Sequence, residues 1–395
     1  MSLTVDESSL RNCIDENTKA IRLLGDLVKL ISKQKEEDDI LQEEREESIQ
    51  VQVRCVFVRI NDIDTISQKY SADVFIQAQW AEANLAGYSQ NELDRLNWKR
   101  QWHPRIKVTN VLGDLERSDE WTVAKAGSEY AVCSQRMRLK GDFKENLELR
   151  DFPVDVQELS IHVTSEHPAS KVKLIKDAFI LSSCDVSEFG DSHEWTLFEH
   201  VDSQESELNT QEMNSKKFTR SKITLTCHVA RKAGYFFWNV ALIMFCITSL
   251  TFCSFTVDKE SPKDRLGITL TLLLTSVAFK MVVSRSLPTI SYLTSLDIYI
   301  LINMMILVVQ SIHTTCISLI TNKSIQDKAD KYFLYALATF FVMDHVVFSA
   351  YVLLASYRKR VYMLRRDKDY QSEKNRLERL ALDNHVNGDL FITMK

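Results

Sequence analysis

Hydrophobic and polar positions divide this chain near residue 233 into two halves with different periods. From Gly234 to Val257 there is no charged residue. As a helix, that run spans about 36 Å at ~1.5 Å per residue, enough to cross a ~30 Å hydrocarbon core. Ile298 to Asn322 is a second uncharged run. Tyr332 to Tyr357 is a third long apolar stretch, interrupted by Asp344 and His345. Leu266 to Ser284 is a fourth, rich in threonine and carrying Lys280. One such run is compatible with a buried core helix. Four in close succession predict membrane helices at 233–257, 265–285, 297–320 and 332–357.

The threonine-rich run differs in kind. Gly267, Thr271, Leu274, Ala278, Met281 and Arg285 recur at spacings of four and three, which is one face of an α-helix. A stripe of small and hydroxylated residues suits a water-lined path shielded from lipid. It also suits close packing against neighbouring helices. Asp344 and His345 are costly inside the fourth run. The reading favoured for them is an internal hydrogen bond to the first or third helix.

The N-terminal half alternates instead. Val51, Val53, Cys55 and Phe57 share one parity, and Gln52, Arg54, Val56 and Val58 the other. Further strand candidates are 72–80, 104–111, 121–126, 129–140, 156–164, 171–180, 193–202 and 218–231. Many short strands without helical stretches predict an antiparallel β-sandwich over 49–232. Before it, Ile14, Ile21 and Val28 fall seven apart, with Leu24 and Ile31 interleaved, ahead of a charged run from Glu36 to Glu47. This N-terminal helical segment, 1–48, reads as a coiled coil at the tip of an oligomer or as one amphipathic helix lying on its own domain. It holds no secretory-type apolar run, so a mature or engineered form is expected.

Composition adds little to this division. The formal charge of −5 gives no prompt toward nucleic acid. There is no Gly-rich phosphate loop, no zinc-ligand cluster and no nucleophile elbow, so neither an enzyme, a cofactor nor a metal is expected. His162 and His167 read as a strand and a loop residue. The eight cysteines are Cys13, Cys55, Cys133, Cys184, Cys227, Cys246, Cys253 and Cys316. Spacing leaves their pairing open, and the three in membrane runs read as small core residues.

Three motifs then occur in order. Phe152-Pro153-Val154-Asp155-Val156-Gln157 lies between two strand candidates. Arg231, Tyr235 and Asn239 lead into the first membrane run. Leu287, Pro288, Ser291, Tyr292, Thr294, Asp297 and Tyr299 separate the second and third. Together with Trp80, Glu82, Leu85, Trp102, Pro104, Val108 and Asn110, they closely resemble the pentameric ligand-gated ion channels (Cys-loop or Pro-loop receptors) over roughly residues 50–357. Glu145 and Leu159 stand where many members place two loop cysteines, so the likeness is to members without that disulfide.

The resemblance implies a ring of five identical or related subunits. Each carries an extracellular sandwich of about ten strands, a four-helix transmembrane domain and, here, a basic tail at 358–395. It implies a multi-pass plasma-membrane receptor with its N-terminal domain outside and membrane lipid around it. A small-molecule ligand of unknown identity would gate permeant ions. Asp264, Gly267, Thr271, Leu274, Ala278, Met281 and Arg285 would line the pore. Asp62 or Asp64, Asp155, Arg231, Pro288 and Tyr292 would form the gating junction.

Phe75, Thr109, Glu166 and Phe218 fall at or near the ligand positions, but a full aromatic box cannot be built from them. An acid at Asp264, with the following Arg265 turned away, implies cation selectivity, whereas the flanking Lys263, if it faced the lumen, and Arg285 argue the other way. The competing readings are an anion-selective channel and a non-conducting pentameric receptor. Arg358, Lys359, Arg360, Arg365 and Arg366 follow the last helix, which by the positive-inside tendency would place the tail in the cytoplasm. The resemblance places it outside. Residues 367–395 are expected to fray.

Overall fold

The computed structural model describes residues 48–88, 92, 96, 98, 101–125, 129–211, 217–258, 261–285 and 290–387. The N-terminal helix expected before residue 48, Cys13 and Pro288 lie outside the described residues.

Ten strands occur among the described residues: β1 (Ile49–Asp64), β2 (Lys69–Glu82), β3 (Ile106–Val108), β4 (Val111–Lys125), β5 (Ala131–Lys144), β6 (Val156–Pro168), β7 (Val172–Lys176), β8 (Ser183–Cys184), β9 (Trp195–Gln211) and β10 (Lys217–Arg231). One antiparallel sheet runs β4-β5-β2-β1 and the other β3-β6-β10-β9, with β8 bridging β1 to β9 and β7 parallel to β1. The alternation read in β1 is the packing face: Val51, Val53, Cys55 and Phe57 are fully buried. They meet Tyr70, Trp80 and Phe143 from their own sheet and Leu159, Ile161, Val163, Ile223 and Leu225 from the other. Two inner faces sharing one apolar core make a β-sandwich.

The strand expected over 104–111 is divided. Asn110 turns the chain between β3 and β4, donating to the Ser160 carbonyl at 2.7 Å and accepting from the His162 amide at 3.0 Å. His167 belongs to β6 rather than to a loop, because the β6 ladder with β10 extends to Pro168. Cys55, Cys184 and Cys227 are buried free thiols, and Cys133 is buried beside them in the sandwich core. Cys246, Cys253 and Cys316 are exposed on the single chain, not core residues, because they face away from its own helices.

Among the described residues, four helices are long and apolar enough to cross a membrane: α1 (Gly234–Thr256), α2 (Pro262–Ser284), α3 (Ser295–Ser318) and α4, which runs as one piece from Lys323 to Asn387. Pro262 at the start of α2 and a capping box between Thr294 and Asp297 at the start of α3 set where these helices begin. Asp344 accepts from Asn303 Nδ2 at 3.2 Å, and His345 Nε2 lies 3.1 Å from the Tyr299 hydroxyl, which itself donates to Ala241 O. The polar pair in α4 is thus satisfied internally by α3.

α4 corrects two expectations. The expected linker before residue 332 is mostly helix, and the tail does not fray at 367 but stays helical to Asn387. Residues 358–387 contain no Gly or Pro and many Arg, Lys, Glu and Leu, all strong helix formers. The helix is also held from the side. Lys359 pairs with Asp151 at 2.6 Å, Arg366 with Asp202 at 2.5 Å and Lys374 with Glu199 at 2.9 Å. Lys359 and Arg366 of the basic cluster therefore lie against carboxylates on the sandwich side of the membrane helices.

Candidate pore and gating junction

The junction is built where the chain leaves the sandwich. Pairing of β9 with β10 ends at Arg231 opposite Trp195. There the Arg231 side chain is 2% exposed. Its Nε donates to Asp155 Oδ1 at 3.0 Å and its Nη1 to Glu194 Oε1 at 2.6 Å. Its guanidinium lies 4.0 Å from the Trp195 ring centroid and 5.0 Å from that of Phe152. A planar fork of donors joins two carboxylates, as its chemistry allows. The second is Glu194, which sequence reasoning missed. Asp62 and Asp64 are not partners of Arg231. Asp64 instead caps its own turn, accepting from the Ile66 and Ser67 amides, and the Ser67 bonds hold its carboxyl below the usual range.

The Phe152–Pro153 loop, whose peptide bond is cis, drops from this cluster into the helices. Leu149 and Phe152 are buried in one apolar cluster with Val240, Ala241, Met244, Val283, Leu296, Tyr299 and Ile300. The Leu149 amide donates to the Tyr292 hydroxyl at 3.1 Å. Asp151 accepts from Tyr351 at 2.8 Å and from Lys359. Burial pushes the Asp151 carboxyl up, but these two bonds outweigh it and hold it below the usual range. One loop thus touches β10 through Arg231 and all four helices through these contacts.

Along α2 and its C-cap, Asp264, Gly267, Thr271, Leu274, Ala278, Met281 and Arg285 are all exposed on the single chain, Leu274 at 70%. Arg265, Thr269, Ser276 and Val283 are the buried set. At ~100° per residue the two sets lie on roughly opposite faces. Arg265 is fully buried. It donates to both Asp330 oxygens at 3.2 Å and to the Val257 carbonyl at 2.8 Å. Asp264 and Arg265 thus point to different surroundings.

The four expected ligand residues are not brought together within one chain. Phe75 is half-buried on β2, opposite Val56 and Arg138. Thr109 is exposed in the bend after β3 and Glu166 is exposed on β6 of the other sheet, beside His162 O and Arg105 O respectively. Phe218 pairs with Thr210 in the same sheet, and its side chain lies outside the described residues.

A sandwich joined to four apolar helices, with a buried Arg–carboxylate cluster and a Phe-Pro loop at the joint, defines the architecture of a pentameric ligand-gated channel subunit. The comparisons agree. A family model for the neurotransmitter-gated ion-channel ligand binding domain matches residues 23–233, and one for the neurotransmitter-gated ion-channel transmembrane region matches residues 244–377. The chain belongs to the neurotransmitter-gated ion-channel family.

Similar curated proteins include a gamma-aminobutyric acid receptor subunit beta of Caenorhabditis elegans, 22% identical over 62% of this chain and 44% of its own length. Another is gamma-aminobutyric acid receptor subunit gamma-4 of Gallus gallus, 20% identical over 61% of this chain and 52% of its own length. The chain spans about half the length of these relatives. Family membership makes it a multi-pass plasma-membrane protein with an extracellular N-terminal domain, in a family of channels rather than enzymes.

Proposed function

We propose that this chain is one subunit of a pentameric, cation-selective, ligand-gated ion channel. The observation that carries the reading is the division of α2 into two faces. Its exposed face runs from Asp264 through Leu274 to Arg285, while Arg265 is buried against Asp330. Five copies of that face around an axis would enclose a pore. A ring of five Asp264 carboxylates at its inner mouth concentrates cations; burial of Arg265 removes one of the two flanking positive charges from the lumen, while Lys263, on the other side of Asp264, is exposed and weakens the ring's field. Five Leu274 side chains would form an apolar constriction that closes by dewetting.

Gating follows from the junction. Ligand binding between subunits moves the sandwich. Arg231, Asp155 and the Phe152 loop transmit that movement to the helix ends, with Tyr292 beneath; Pro288, a junction residue by sequence, lies outside the described residues. Phe75 sits in one sheet, Glu166 and Phe218 in the other and Thr109 in the bend after its β3. A site at the subunit interface would therefore take Phe75 from one subunit and the rest from its neighbour. The two relatives are named for gamma-aminobutyric acid, which makes that compound the first agonist to test. Glu166 would face its ammonium group.

Arg285, at the other end of the stripe, supports the second reading, an anion-selective channel. Reversal potentials in asymmetric sodium chloride decide between them. A shift toward the sodium potential supports cation selectivity, and one toward the chloride potential overturns it. For the ligand site, agonist responses of Phe75→Ala equal to wild type would remove Phe75 from it.

A further inference from the structure

We propose that His200, Asp202 and His228, roofed by the helix that continues beyond the membrane, form a binding site for a divalent cation of the zinc class. The sandwich brings them together from afar. His200 and Asp202 are two apart on β9 and so share a face, and His228 lies beside them on β10 at an irregularity in the ladder between Cys227 and Val229. One ligand atom from each of the three lies within 4.8 Å of the others. His228 Nε2 is 3.7 Å from Asp202 Oδ2, and the two imidazoles stack with centroids 5.0 Å apart.

A second observation points to a ligand. Both histidines are 3% exposed, yet His200 Nε2 is buried with no hydrogen-bond partner; on His228 the unpartnered atom is Nδ1, while Nε2 is the nitrogen nearest Asp202. Such orphaned atoms are uncommon in folded proteins. The partner of His200 explains what its free nitrogen is. His200 Nδ1 lies 2.5 Å from Asp367 Oδ1. A carboxylate only accepts, so Nδ1 carries the proton and, in the neutral ring, Nε2 keeps its lone pair. A carboxylate orienting an imidazole in this way is the arrangement that supports metal-bound histidine.

Two imidazoles and one carboxylate suit zinc and similar ions, with water as the fourth ligand. Bonds of ~2.0–2.1 Å bring tetrahedral ligands to about 3.3 Å, so the cluster closes slightly on binding. Arg366 holds both oxygens of Asp202, at 2.6 and 2.5 Å. Metal and guanidinium therefore compete for that carboxylate. Metal binding would therefore strengthen one tie between α4 and the sandwich, Asp367 to His200, at the expense of the other, Arg366 to Asp202.

The test is a cobalt titration of the tag-free full-length protein in nanodiscs, read by its visible spectrum, followed by displacement with zinc. The expected result is one ion per subunit with intense tetrahedral bands, lost on adding zinc. His228→Ala should weaken binding at least tenfold. Asp367→Asn should weaken it about 10–100-fold, as loss of an orienting partner does, and Arg366→Gln should tighten it. The last two lie on the outer helix, so they decide the matter if His228→Ala does not assemble. Absence of tetrahedral bands, His228→Ala affinity equal to wild type, or Asp367→Asn and Arg366→Gln affinities both within twofold of wild type would overturn the proposal.

Discussion

Replacing Arg231 with alanine should cost this protein much of its stability, and the reason can be worked from the junction. The Arg231 and Asp155 side chains are 2% and 1% exposed. Removing the guanidinium leaves Asp155 buried with the Gln157 amide as its remaining side-chain partner. It also empties the space between Trp195 and Phe152. Breaking a buried ion pair on one side costs about 3–5 kcal/mol, because the other charge is left uncompensated.

For a domain of this size each kcal/mol moves Tm by ~2–4 °C. The expected fall is thus roughly 6–20 °C, read by fluorescence size-exclusion of heated pentamer. Adding Asp155→Asn to Arg231→Ala should recover part of the loss by removing the orphaned charge. Glu194 is 55% exposed at its side chain, so Glu194→Gln should cost no more than ~1 kcal/mol. Arg231→Ala melting within ~2 °C of wild type, with no gain in the double variant, would refute the reasoning. Normal agonist-evoked currents from Arg231→Ala would separately refute its part in gating.

Other consequences can be checked independently. Burial and then the Lys222 charge push His162 from 6.5 down to about 4. The unfolded chain therefore takes up that proton first as pH falls. His162 should reduce stability progressively between about pH 6.5 and 4 and no further below. Thermal melts across that range should be flatter for His162→Gln than for wild type; parallel curves would contradict this. Asp264→Asn should lower cation permeability relative to anion permeability, and an unchanged reversal potential would remove Asp264 from the selectivity ring. Protease added outside intact cells should cleave the chain near Arg379, since α4 lies along the extracellular sandwich. Full protection of that tail would contradict the assignment.

Local spacing was the readable part of this molecule. The β1 alternation, the α2 stripe and the four apolar runs each depend on residues a few positions apart, and each corresponds to an observed face or helix. Partners set by tertiary pairing were not readable. Glu194 reaches Arg231 only because β9 and β10 run antiparallel to the base of the sandwich. Asp151 meets Lys359 across 208 positions, so two members of a cluster that looked like an inside-facing charge signal, Lys359 and Arg366, are paired with sandwich carboxylates. The same holds for His200, Asp202 and His228, whose spacing matches no metal motif. Asp62 and Asp64 were assigned to the junction by position, yet Asp64 spends its oxygens on its own turn.

The central claim is that the exposed face of α2 lines a cation-conducting pore closed at Leu274. The direct measurement is the current carried by reconstituted Leu274→Ser protein without agonist, across a tenfold sodium chloride gradient. Conduction selective for cations predicts a standing leak that reverses toward the sodium potential, up to ~59 mV from zero for a univalent ion. A silent bilayer, or a leak reversing toward the chloride potential, would contradict it.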